Sequence, residues 1–282
     1  WPYPVTGKSG QSVVGPDGIK LDQLVMQSPT GGVGTRDGQL IQDGKDAPLI
    51  PDLNVTDADL PIDKLLLHSI RSEPRQAVAD LTPQGRVTGR ATITRPDPAE
   101  DTQWRVFADV VNGVIPPYGG DFRLAAVTGR FDLGNRGLTL RNLTGQRGDA
   151  RLNINGAFDW GDGVDGYRLD IAGRNLRVEP ALLDLLPPDQ DERAALLALQ
   201  ETHRPAGRVD ATLRWEKLAA TGDELQDEPE PRTTYTLVVE PAEFGLDFKD
   251  DRLEFSNMTG RLTVRPDTID IDQLRAAFST GR

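Results

Sequence analysis

A glycine-led hairpin pattern is written three times along the 282 residues. It reads "TGRFDLGNRGLTLRNLTG" from Thr128 to Gly145, "TGKSGQSVVGPDGIKLDQL" from Thr6 to Leu24, and "TGRLTVRPDTIDIDQL" from Thr259 to Leu274. Flanking segments recur in the same order. "PQGRVTGRATI" from Pro83 answers "PAGRVDATLRW" from Pro205, at the same offset of 122 residues that separates Thr6 from Thr128. "LPIDKLLL" from Leu60 answers "LRVEPALL" from Leu176, and Trp104 answers Tyr235. The slack between copies falls in the polar stretch "EKLAATGDELQDEPEPR", where a loop lengthens at little entropic cost. Ordered matches of this kind define a supersecondary repeat of roughly 120 residues, longer than the common solenoid periods. The expected units are 1–82 (partial, ending in a helical excursion), 83–204 (complete) and 205–282 (partial).

Within a unit the dominant period is two. In "GRVDATLRW", Val209, Ala211, Leu213 and Trp215 share one face, and Arg208, Asp210, Thr212 and Arg214 the other. "ARLNINGAFDW" sets Leu152, Ile154, Phe158 and Trp160 against Arg151, Asn153, Asn155 and Asp159. "YRLDIAG" sets Tyr167, Leu169 and Ile171 against Arg168 and Asp170, and Leu262 and Val264 share a face in the third copy. Such alternation predicts half-buried antiparallel strands, one face dry and one in water. "PDG", "NRG" and "GDGVDG" are hairpin turn signals. Once per unit the period changes. "VEPALLDLLPPDQDERAALLALQETHRP" reads as helical, broken at Pro187-Pro188, with Leu196, Leu197 and Leu199 as an apolar stripe; "LPIDKLLLHSIRSEPRQAVADL" is its counterpart.

Composition narrows the function classes. With 44 acidic and 32 basic residues the net charge is -12, which argues against a nucleic-acid partner. The absence of cysteine excludes disulfides, thiolate metal sites and cysteine nucleophiles. No run approaches the ~18 apolar residues of a membrane span. The chain opens on "WPYPVTG" and ends in mid-pattern, so an interior piece of a longer protein is expected, with any signal or anchor outside it.

Chemistry-bearing residues are sparse. His68 and His203 stand at different distances from the following "PxGRV" and are read as surface or capping residues. No Ser/His/Asp set, phosphate loop or HExxH is present. Asp162 and Asp165 of "GDGVDG" are too few oxygens for a calcium loop, and the acidic run "DELQDEPEP" reads as a solvated insertion. Asn142 and Asn257 stand in glycosylation sequons, attributed to the repeat itself. No enzymatic activity, cofactor or metal is expected.

A sheet with one apolar face needs that face covered: by a second sheet, by helices or by a ligand along a curved trough. At about one excursion per unit the helices are too few to cover it all. The layout of "YPVTGKSG", "VTGRFDLGNRGLTLRNLTGQRGDARLNINGAF" and "NMTGRLTVRPDTIDIDQL" resembles the AsmA/TamB superfamily of bacterial envelope proteins. The resemblance implies a mainly β fold: a repeated, strongly curved antiparallel sheet forming a U-shaped groove, with one short helical excursion per repeat. It also implies a periplasmic location, an anchor helix outside this segment, and phospholipid acyl chains as the partner. The groove lining would then be Leu152, Ile154, Phe158, Tyr167, Leu169, Ile171, Val209, Leu213, Trp215, Leu262 and Val264. The alternative is a secreted or envelope β-repeat scaffold or adhesin whose apolar face closes on itself, with no lipid ligand.

Overall fold

The computed structural model describes residues 6–27, 32–42, 50–62, 82–97, 99–116, 120–159, 166–185, 191–218, 232–248 and 251–281. These hold the strands β1 (Thr6–Gly15), β2 (Gly18–Gln27), β3 (Val33–Ile41), β4 (Ile50–Pro61), β5 (Gln84–Thr94), β6 (Gln103–Ile115) and β7 (Leu124–Gly134). After them come β8 (Gly137–Arg147), β9 (Ala150–Asp159), β10 (Gly166–Arg177), β11 (Ala206–Leu218), β12 (Arg232–Phe248), β13 (Asp251–Arg265) and β14 (Thr268–Gly281). Between β10 and β11 lie a 3-10 helix (Pro180–Leu185) and the helix α1 (Asp191–His203). The fourteen strands form one strongly curved antiparallel sheet in strict sequence order, and β1 does not pair with β14, so the sheet stays open. His68, Trp160, Asp162, Asp165, the acidic insertion and most of the first helical excursion lie outside the described residues.

Two-residue turns close β1–β2, β7–β8 and β13–β14, at Pro16-Asp17, Asn135-Arg136 and Pro266-Asp267. In the second, Asn135 also ties the turn to β6: its Oδ1 accepts the Trp104 N–H at 2.7 Å and its Nδ2 donates to the Thr102 carbonyl at 2.9 Å. Nearly every strand then carries an irregularity with a left-handed residue. Gln23 (φ 44°), Asp59 (58°), Asn112 (53°), Asn142 (49°), Asn175 (56°) and Gln273 (47°) supply it on β2, β4, β6, β8, β10 and β14. Glycine supplies it on most odd-numbered ones, as at Gly129 (149°) and Gly260 (121°). Each bulge bends its strand and adds twist, and a line of them is how an antiparallel sheet acquires strong curvature.

These positions set the phase of the repeat. Gly129 packs on Leu143 and Gly260 on Leu274, in both cases fourteen residues downstream. At the N-terminus the residue packed on Leu24 at the same spacing is Gly10, also left-handed at φ 103°. The sequence match of Thr6-Gly7 with Thr128-Gly129 is thus three residues out of phase, because Gly7 faces open space. The other matches hold: Leu60 pairs with Val87 as Leu176 pairs with Val209, and Trp104 pairs with Ile93 as Tyr235 pairs with Trp215. The unit is therefore six strands, with β1, β7 and β13 as counterparts. Asn142 is in β8 while Asn257 is in β13, the counterpart of β7, so the two sequons are not equivalent repeat positions. What they share is the left-handed conformation (49° and 52°), which asparagine tolerates.

Gly129→Ala should cost about 2–3 kcal/mol, because a methyl there would stand 2.7 Å from the Leu143 Cα on a backbone that L-residues avoid. Gly7→Ala should change stability by less than about 0.5 kcal/mol. Urea unfolding of both variants checks the phase; equal losses would contradict it.

The inward face is apolar and its most enclosed part is local. Phe122, Leu124, Val127, Leu143 and Leu152 form a buried cluster, with Ala181 and Leu182 of the 3-10 helix packed against it. Asp184 Oδ2 accepts the backbone N–H groups of Asp121 and Phe122 at 2.6 and 3.0 Å. Arg147 donates from Nε to Glu179 at 2.7 Å and lies over the Phe122 ring at 4.9 Å. Among the described residues the helical excursion thus covers the apolar face at one rim. Of the stripe expected on α1, Leu197 and Leu199 are exposed; α1 lies against the 3-10 helix and β12. His203 Nδ1 stands 3.0 Å from the Asp247 carbonyl oxygen.

Candidate functional site

The strongest candidate is the inward face of the sheet. Strand pairing lines its side chains into rows running across the strands. One row is Leu143, Ile154, Ile171, Leu213, Leu237, Val264 and Ile269, each directly opposite the next. A second runs from Val55 through Ala91, Val106, Leu133 and Leu138 to Phe158 and Tyr167. Rows of this length follow from the alternation, because a direct cross-strand pair always shares a face. At about 4.8 Å per strand, fourteen strands extend the face over roughly 60 Å.

The residues expected to line a groove all fall on this face, in different settings. Ile154, Phe158, Tyr167, Leu169, Ile171, Val209, Leu213, Trp215, Leu262 and Val264 are half-buried. Leu152 is 5% exposed inside the Phe122 cluster, so the protein's own chain covers it. Aromatic contacts mark one side of the face: Phe158 to Tyr167 at 6.1 Å, and Tyr167 edge-on to Trp215 at 5.5 Å. Trp215 faces Tyr235 across the next pair. Trp104 stands at the position of Tyr235 one unit earlier, its indole N–H buried without an acceptor among the described residues.

A largely covered ion pair interrupts the face, and sequence reasoning missed it. Arg36 grips Asp57 with two hydrogen bonds, at 2.7 and 3.2 Å, and both side chains are largely covered (13% and 14% exposed). Arg36 faces Val55 as Ile154 faces Ile171. By the same pairing Gly34 and Asp57 stand where the next unit has Leu152 and Gly173. The first unit thus holds an ion pair where the second holds the closed apolar cluster. The alternation of Gly34, Arg36, Gly38 and Leu40 carried that signal, since it places the arginine inward with Leu40.

The opposite face is a ladder of exposed ion pairs. Arg130 bonds Asp109 at 2.9 Å, Arg214 bonds Asp170 at 2.9 Å and Arg261 bonds Glu240 at 2.7 Å. Exposed pairs like these contribute about 0–1 kcal/mol each, so they mark the wet side more than they hold it. Arg105 donates from Nε to Asp132 at 2.8 Å. That hydrogen bond, opposed by burial and aided by the charges of Arg105 and Arg141, holds the Asp132 carboxyl below the usual carboxylate range. A depressed folded-state pKa stabilises above the unfolded value, about 3.9, and the gain is lost as pH falls through the folded value. Asp132→Asn should therefore be less stable than the parent at pH 7, and the gap should narrow below about pH 4. Thermal melts at both pH values check this; a gap that widens in acid would contradict it.

Catalytic groupings are lacking in what is described. A cleft of about 280 Å³ at the end of β10 is lined by Arg177, Val178, Glu179, Ala206, Gly207, Arg208 and Glu243, with Arg208 already paired to Glu243 at 3.3 Å. Among the described residues no group of three or more His, Asp or Glu is placed to hold a metal, and no helix is long and apolar enough to cross a membrane. Comparison with protein-family models, curated proteins and solved structures returns no match. Function therefore rests on the geometry of the inward face.

Proposed function

We propose that this chain is a non-enzymatic lipid-handling segment whose apolar trough accepts phospholipid acyl chains. One observation carries the reading: an inward face that stays apolar across most of an open sheet and that, among the described residues, has a covering layer at only one rim. Each methylene removed from water there contributes about 0.8 kcal/mol. Ten methylenes give about 8 kcal/mol, within the ~4–15 kcal/mol that association costs. Stable occupancy thus requires long or paired acyl chains, while small apolar molecules are left in solvent. No specific polar contact is needed, which suits a site without a catalytic constellation. The setting that fits is the periplasm of a bacterium with an outer membrane, where this segment would belong to a larger envelope protein that carries phospholipid for the outer membrane or maintains its supply. Membrane contact would be made by parts outside the segment.

The buried cluster around Phe122 favours a second reading at that place alone: a scaffold whose apolar face is core. Native mass spectrometry of the detergent-free protein separates the two. Adducts at phospholipid masses, lost on organic extraction, are the expected result. A bare protein that also takes up no labelled phospholipid from vesicles would sink the lipid reading.

A further inference from the structure

Four of the left-handed residues share one device. The backbone N–H of each is met by a side-chain oxygen from the following strand. Asp37 Oδ1 accepts from Gln23 at 2.6 Å, and Asn155 Oδ1 accepts from Asn142 at 2.8 Å. Thr88 Oγ1 accepts from Asp59 at 3.3 Å, and Asp210 Oδ1 accepts from Asn175 at 2.7 Å. The acceptor follows the phase of the repeat. β3 supplies Asp37-Gly38 to β2, and β9 supplies Asn155-Gly156 to β8, with the two glycines opposite Leu21 and Leu140. β14 is the counterpart of β2 and β8 and carries the same left-handed residue, Gln273 (φ 47°). Among the described residues no strand lies beyond it. Its inward side chains are correspondingly bare. Ile269 is 66% exposed where its counterpart Leu138 is 8%, and Leu274 is 39% exposed where Leu143 is 7%.

We infer that the outer edge of β14 docks one antiparallel polypeptide strand that sets an Asp or Asn side chain opposite Gln273. The side-chain oxygen would accept the Gln273 N–H, as Asp37 and Asn155 do for their neighbours. An added strand would also cover Ile269, Ile271 and Leu274, which makes strand addition favourable at this edge. A second copy of this chain does not supply such a strand. Its β3 and β9 are paired on both sides. Its free β1, "TGKSGQSVVG", has no Asp or Asn and is the counterpart of β7, which follows β6 in the sheet.

The test appends residues 149–159, the β9 sequence, after Arg282 through a flexible Gly/Ser linker, which raises the local strand concentration to the millimolar range. Amide hydrogen exchange over residues 268–281 should slow by about tenfold or more relative to the parent chain. The same fusion with Asn155→Leu in the appended copy should lose most of that protection. Equal protection by both fusions would show that any strand serves, and no protection from either would show that the edge takes none. A parent chain that dimerises in light scattering with its own 268–281 amides protected would make a second copy the occupant. Any of these three results overturns the inference.

Discussion

Leu213→Asp should leave the protein folded and strip it of lipid. Leu213 lies in the middle of β11, opposite Ile171 on one side and Leu237 on the other, and it is half-buried rather than enclosed. In an open trough, with no second layer over Leu213 among the described residues, the new carboxylate reaches water, so the loss of stability should stay within about 1–2 kcal/mol. A charge beside hydrocarbon is costly, so phospholipid adducts should fall by most of their intensity. Circular dichroism and lipid extraction on one preparation read both effects. An unfolded variant would indicate a closed core at this position. A folded variant with undiminished lipid would move the binding face elsewhere.

Phe122→Ala should behave in the opposite way. Phe122 is 1% exposed and sits under Arg147, beside Leu124, Val127 and Leu143. Removing a buried phenyl ring leaves a cavity and costs about 3–5 kcal/mol, which for a chain of this size lowers the melting temperature by roughly 10 °C. Lipid carried elsewhere along the face should be retained. A loss below about 1 kcal/mol would show that the 120–122 segment is not core. Together the two substitutions divide one apolar face into a part that the protein closes for itself and a part that it leaves open. The hydrogen bonds from Asp121 and Phe122 to Asp184 help set where that division falls, because they fix the segment and the 3-10 helix over Leu152.

The alternation of Leu152 with Arg151 and of Leu213 with Arg214 is local chemistry, and by itself it places each leucine on the face opposite its arginine. Turn residues at Pro16-Asp17 and Asn135-Arg136 likewise marked their hairpins, because turn conformation depends on a few adjacent residues. The repeat was readable for the same reason, since each unit writes the same local pattern again. The phase at the N-terminus was not. Choosing Gly10 over Gly7 depends on which glycine meets Leu24 across a strand pair, and both stand in similar local sequence. The Arg36–Asp57 pair joins residues 21 apart that meet only through the β3–β4 register. Coverage was the least legible property of all. Leu152 and Ile154 are two residues apart on one strand and one face, and only the docking of a loop from residues 120–122 and a 3-10 helix from 180–185 encloses the first and leaves the second half-open. The sequence alone determined period, turns and face; pairing between distant segments decided phase, the inward ion pair and which part of the apolar face stays open, because those depend on contacts that no local pattern specifies.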